Sequence, residues 1–151
     1  MLSMQEISDR IEIDVLLTEY CHAIDDGNWD ALDDIFTEDA IIDYTAAGGA
    51  KGNLQETKAY LDRALEQFEG SQHMVATTKL RLNGDTATAK TICFNPMNVP
   101  QKEGIHTFFC GIWYVDELVR TDKGWRISSR REELSYFHNL PADFAAVDPN
   151  G

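Results

Sequence analysis

The sequence predicts an α+β domain, a curved antiparallel sheet packed on three N-terminal helices. Two observations carry this. Over roughly the first seventy residues apolar side chains recur with helical spacing, and from residue 72 the period changes to two, the period of a half-buried strand. Turn signals divide the second half, above all Asn83-Gly84-Asp85, whose residues tolerate the positive φ of a tight hairpin. Helices followed by a run of strands place the helices on one face of the sheet. A strongly bent sheet wrapped around helices leaves a cavity inside, a usual place for a small ligand.

The elements follow in order. Ser3 and Glu6 have the spacing of a capping box and open the first helix. Ile7, Ile11 and Val15, with Ile13, Leu16, Leu17, Tyr20 and Ile24, give it a broad apolar face, and Gly27 ends it. Trp29, Leu32, Ile35 and Phe36 form a short second helix, Thr37-Glu38-Asp39 a turn, and Ala40 to Tyr44 a short strand. Thr45 to Gly52 is a glycine-rich loop. Asn53 caps a third helix, with Leu54, Thr57, Leu61, Ala64, Leu65 and Phe68 inward and Gly70 at its end. The expected strands are Gln72–Leu82, Thr86–Asn95, Thr107–Arg120 and Trp125–Leu134; Asn95 to Gly104, with two prolines, reads as an irregular crossover.

The 151 residues suffice for one domain, taken as 1–151 with a tail from 139 to 151. Net charge is −13, and residues 1–70 carry all of it, with 17 acids against 4 bases. An acidic surface repels phosphate backbones and anionic headgroups, so neither nucleic acid nor a membrane is an expected partner. No apolar run approaches the roughly 20 residues of a membrane span, and no signal segment is apparent. The cysteines at 21, 93 and 110 lie in apolar segments without a C-x-x-C pair, the usage of reduced thiols in a cytoplasmic protein.

Few residues remain for chemistry. There is no phosphate-binding glycine loop, no nucleophile elbow and no metal-ligand spacing; the four histidines, 22, 73, 106 and 138, are scattered. No metal and no cofactor is expected. Asp25 stands in the last turn of the first helix, where a carboxylate opposes the helix dipole by about 0.3–1 kcal/mol, so a partner is called for. His73 follows the third helix in Gln72-His73-Met74-Val75, with the strand parity of Val75. A histidine held by a carboxylate in an apolar pocket can serve as general base near neutral pH. A core histidine satisfied by a backbone carbonyl is the plainer alternative. Tyr20 and Tyr44 sit on apolar faces, as core residues or as phenol donors to a ligand.

The segments YCHAIDDGNWDALDDIFTEDAIIDY, SQHM, NGDTATA and WYVDELVRTDKGWRI, in this order, resemble the SnoaL-like branch of the nuclear-transport-factor-2-like superfamily from about Ile7 to Leu134. The resemblance implies a cone-shaped sheet with a pocket inside. Similarity to the bile-acid dehydratase members aligns Tyr20, Asp25 and His73 with a Tyr/Asp/His set. Similarity to scytalone dehydratase aligns Asp25, Tyr44 and His73, and places Met97 and Cys110 where that enzyme has a histidine and an asparagine. These less polar replacements imply a hydrophobic substrate, with Tyr44, Met97 and Cys110 as contacts. The implied activity is a lyase: loss of water from a cyclic carbonyl compound such as a sterol, terpenoid or polyketide. His73 would act as base, Asp25 as its orienting partner and Tyr20 as donor to the carbonyl oxygen. A double-bond isomerase or a non-catalytic hydrophobic-ligand binder are the alternatives. An epoxide hydrolase would need an arginine between two carboxylates, for which Arg126, Arg130 and Arg131 are the candidates. The resemblance also implies a homodimer or homotrimer.

Overall fold

Helix α1 (Met4–Asp25) begins at its expected cap: Ser3 Oγ accepts from the Glu6 N–H at 3.1 Å and Glu6 Oε2 accepts from the Ser3 N–H at 2.7 Å. It ends at Asp25, and Gly27 turns the chain with φ +65°. Ile13, Leu16, Leu17, Tyr20 and Ile24 are buried. Ile7, Ile11 and Val15 are not; the latter two are 60% and 52% exposed. At 100° per residue they lie on the opposite side of α1 from the buried row, so the apolar face is narrower than expected. The structure, a computed structural model, describes residues 1–142 and 144.

Two of the three expected helices are α-helical. The second stretch, Trp29–Asp34, is a 3₁₀ helix of six residues, a form suited to a short connector. Strand β1 (Phe36–Asp43) starts earlier than expected and takes in Thr37-Glu38-Asp39. Those polar residues are accommodated by a bulge: between Phe36 and Ile41, β1 advances five residues while its partner advances two. Strand β2 (Lys51–Asn53) pairs with β1, and α2 (Leu54–Leu65) is capped by Asn53 and Glu56. α2 stops at Leu65, and Gly70 instead opens β3 (Gly70–Ser71).

β4 (Met74–Asn83), β5 (Thr86–Gln101), β6 (Gly104–Thr121) and β7 (Gly124–His138) form the body of the sheet. Strand order is β2-β1-β7-β6-β5-β3, with β4 also on β5; every pairing is antiparallel except β1 with β7. The expected crossover is absent, because β5 continues through Pro96 and Pro100. The Pro96 carbonyl accepts from the Gln72 N–H, so its missing donor points to the side where β4 has ended and β3 has only begun. Pro100 has the same parity and points past the end of β3, so neither proline removes a ladder bond. Register shifts on β6–β7 add one residue to β7 at Ser128 and one at Ser135. Bulges bend and twist a strand, and the sheet curls into a half-barrel around α1 and α2. At the second bulge the Tyr136 ring lies over Gly111, where a Cβ would sit 2.3 Å from it.

Inside the curl is a fully buried ion pair. Arg130 Nε and Nη2 donate to the two oxygens of Asp116 at 2.7 and 2.8 Å, and neither side chain touches solvent. The guanidinium lies 4.1 Å from the Tyr20 ring centre and 4.0 Å from that of Tyr114. Replacing one partner leaves the other charge buried and alone. Arg130→Met is therefore expected to cost about 3–5 kcal/mol in urea unfolding, and adding Asp116→Leu to recover most of it.

Candidate functional site

The break between β3 and β4 puts His73 at the wall of the curl. β3 and β4 both pair with β5, and Gln72-His73 spans the gap between them. Across this gap lies the C-terminus of α1. Asp25 Oδ1 accepts from His73 Nδ1 at 2.7 Å and from Ser71 Oγ at 2.8 Å, and Asp25 Oδ2 accepts from the His73 backbone N–H at 2.8 Å. These three donors offset the dipole opposition at the helix end. Partial burial works to raise the Asp25 carboxyl, but the bonds from His73 and Ser71 outweigh it and hold the group below its ordinary value.

Beyond His73 is Asn95 of β5. Its amide, assigned from the hydrogen-bond network, donates to the carbonyls of Gln72 at 3.1 Å and Pro96 at 3.2 Å. In that orientation its oxygen faces His73 Nε2 at 3.1 Å. A proton arriving at Nε2 thus meets a waiting acceptor. Nε2 has one in-plane direction for that proton, so a substrate C–H reaching it shares that direction with Asn95 or displaces it.

His73 and Asn95 open onto a cavity of about 130 Å³ inside the curl. Tyr20 and Ile24 of α1 line it, as do Tyr60, Leu61 and Ala64 of α2 and the strand residues Met97, Phe108, Cys110, Ile112, Tyr114 and Glu132. Tyr44 completes the inner wall, and its hydroxyl is 2.7 Å from that of Tyr20. Burial raises both phenols: Tyr20 to about 12, the charge of Arg130 and the bond to Tyr44 pulling the other way, and Tyr44 well above its ordinary range. Both are donors at neutral pH. Burial likewise pushes the Cys110 thiol up to about 12, leaving it a small apolar wall residue. Phe137 and Phe144 close one side, where Phe144 packs against Phe68 and Phe108 with ring centres 6.3 and 5.4 Å apart. Residue 143 and residues 145–151 of the expected tail lie outside the described residues.

Tyr20, Tyr44, His73, Met97 and Cys110 therefore all line one cavity. Asp25 does not; it stands behind His73 and acts on the cavity through it. His22 is exposed. Of the arginines weighed for epoxide chemistry, Arg130 is taken by one carboxylate, while Arg126 and Arg131 bond Asp34 and Glu133. Among the described residues the arginine that bridges two carboxylates is Arg120, with Asp9 and Asp85, away from the cavity. Asn95 and Glu132 went unnoticed in the sequence. Asn95 shares strand parity with buried Cys93 and Met97, a signal the expected crossover concealed. Glu132, in an Arg-Arg-Glu-Glu run, carried none.

The profile of the SnoaL-like domain matches residues 5–131. The chain belongs to the SnoaL-like domain family. Uncharacterized protein Rv2910c of Mycobacterium tuberculosis is 48% identical over 140 residues, 93% of this chain and 94% of that one. Among solved structures, a Novosphingobium aromaticivorans protein provisionally named a scytalone dehydratase superposes with a TM-score of 0.79 at 15% identity, over 96% of this SnoaL-like chain and 95% of that one. A hexachlorocyclohexane dehydrochlorinase, LinA type 2, superposes with a TM-score of 0.76 at 19% identity, over 92% and 94%. At these identities the likeness is one of fold, the nuclear-transport-factor-2-like cone. No helix among the described residues is long and apolar enough to cross a membrane.

The Asp25 network has a consequence for stability. A carboxyl held below its ordinary value adds stability above the unfolded pKa, and that stability is lost as pH falls through the folded one. Asp25→Ala is expected to cost about 1–3 kcal/mol at neutral pH. It should also remove part of the acid-side decline, which urea titrations at stepped pH would measure.

Proposed function

We propose that this SnoaL-like protein is a cofactor-independent lyase that eliminates water from a small cyclic carbonyl compound. The observation that carries the reading is the Asp25–His73–Asn95 line, which ends on an apolar cavity whose inner wall holds two phenol donors. His73 Nε2 takes the proton adjacent to the carbonyl. Asp25 keeps Nδ1 protonated and stabilises the imidazolium, and Asn95 accepts the hydrogen bond of the new N–H. The Tyr20–Tyr44 pair has one hydroxyl proton left after bonding itself, and this proton is donated to the substrate oxygen as it becomes an enolate. The nearby Arg130 guanidinium favours charge developing there. His73 then returns its proton to the departing hydroxyl, and water leaves.

Two features narrow the substrate. The cavity is of the order of the ~150 Å³ that accommodates benzene, which favours a single ring over a four-ring sterol. Its walls are predominantly hydrocarbon, with polar atoms confined to His73, Asn95, the tyrosines and Glu132 among the groups described above. The two named structural neighbours also bear names of eliminations, of water and of hydrogen chloride. Loss of water beside a carbonyl and loss of hydrogen chloride both call for a base that takes a proton from carbon. An isomerase would use the same base and donors, with the proton returned to carbon.

The test is turnover of cyclic β-hydroxy ketones, followed by the ultraviolet absorbance of the conjugated enone, with mass spectrometry separating loss of water from a mass-neutral shift. His73→Ala is expected to lower kcat by about 10²–10⁴-fold with the circular dichroism spectrum unchanged. Full turnover by that variant on a substrate the native protein converts would refute the reading. Tyr20→Phe and Tyr44→Phe singly should each cost less than both together, because either hydroxyl can pass a proton to the substrate.

A further inference from the structure

We infer that Glu132 is a hydrogen-bond donor of this pocket, a neutral carboxylic acid that binds an oxygen of the molecule held there. Glu132 lines the cavity, and its Oε2 is out of contact with solvent and without a hydrogen-bond partner. An unpaired carboxylate in such a place is costly, while a protonated one needs only an acceptor. Among the described residues, no group of the surrounding elements is hydrogen-bonded to Oε2, so the acceptor is left to the ligand. α1 presents Tyr20, α2 presents Tyr60, and Tyr44 follows Asp43 at the end of β1; β5 and β6 present Cys93, Cys110 and Tyr114. One of these, Asp43, is a carboxylate, and it bonds Thr45 and Lys51. The cation in reach, Arg130, has Nε and Nη2 committed to Asp116, and its buried Nη1 makes no hydrogen bond to Glu132. Burial raises the Glu132 carboxyl; Arg130 opposes and Asp43 adds to the rise, and the group ends at about 8. A carboxylic acid kept neutral at pH 7 can do what a carboxylate cannot, which is donate.

The inference rests on reading the cavity as a substrate pocket, and it specifies the substrate further. The ring should carry an oxygen acceptor, as a ketone or enone does, and should not carry a carboxylate near Glu132, which Asp43 would also repel. With the Tyr20–Tyr44 pair lining the same cavity, that oxygen has a second donor within reach of the pocket.

The probe is cyclohex-2-enone labelled with ¹³C at its carbonyl, whose stretch falls in frequency with each hydrogen bond accepted. Infrared difference spectra of the full chain should show a saturable downshift. Glu132→Leu is expected to lose part of the shift and to bind about tenfold more weakly, the equivalent of one good hydrogen bond. Glu132→Gln, whose amide still donates, should keep most of both. Raising the pH through about 8 should erode the shift in the native protein and leave it intact in Glu132→Gln. A second readout needs no ligand. Between the ordinary carboxyl value of 4.5 and about 8 the folded state keeps a proton that the unfolded chain has lost, so native stability falls as pH rises, and Glu132→Gln should flatten that slope. Absence of saturable binding, a shift that Glu132→Leu leaves unchanged, or the same pH slope in both proteins overturns the inference. None of these outcomes involves His73, whose variant judges the elimination separately.

Discussion

The buried guanidinium of Arg130 is the constraint on which the rest of the interior depends. A cation fully removed from water survives only if paired, and Asp116 supplies both oxygens in bidentate geometry. That pairing locks β6 to β7 at the deepest point of the curl. The two rings that flank the guanidinium then locate α1 against the sheet, because Tyr20 belongs to the helix and Tyr114 to β6. Once Tyr20 is placed, its hydroxyl reaches Tyr44, and Asp25 is carried about one and a half turns further along α1 to meet His73. One electrostatic requirement thus sets both the donor wall of the cavity and the position of the carboxylate behind its base.

The cavity shows how burial assigns roles to chemically similar groups. Three carboxyls illustrate it. Asp116 gives both oxygens to Arg130; Asp25, beside His73 and Ser71, is held on the acidic side; Glu132, whose Oε2 has no hydrogen-bond partner, is pushed by burial to about 8. The phenols, raised by the same dry surroundings, are donors. His73, two phenols and the Glu132 carboxyl are therefore arranged around about 130 Å³, and the charges just behind that wall, Asp25 and Arg130, are each paired. Such preorganised dipoles need little rearrangement when charge develops on a ligand.

Much of this was legible in the residues. The caps at Ser3 and Asn53, the hairpin at Asn83-Gly84 and the change of period at residue 72 are local signals, and each has a local cause. The unfavourable charge at a helix end and a histidine on an apolar parity left the pairing of Asp25 with His73 as one of two readings, and the family resemblance favoured it. Other features were illegible for definite reasons. Two prolines suggested a break in β5, yet their orientation toward a gap in the neighbouring ladder makes them harmless. In β7, counting inward from Trp125 and Ile127 points Arg131 and Glu133 at the core. The extra residue at Ser128 reverses the parity, so Arg130 is buried and Glu132 reaches the cavity instead.

By itself, then, the sequence determined the fold class and the family and singled out Tyr20, Asp25 and His73 as candidates, since these follow from periodicity, capping and a few residues in order. The tertiary structure alone decided which charges are buried. A bulge changes which way every later side chain in a strand faces, and no local pattern announces it. The Arg130–Asp116 pair, Asn95 beside His73 and the neutral acid at Glu132 all follow from strand register, a property of two strands together that neither segment encodes alone.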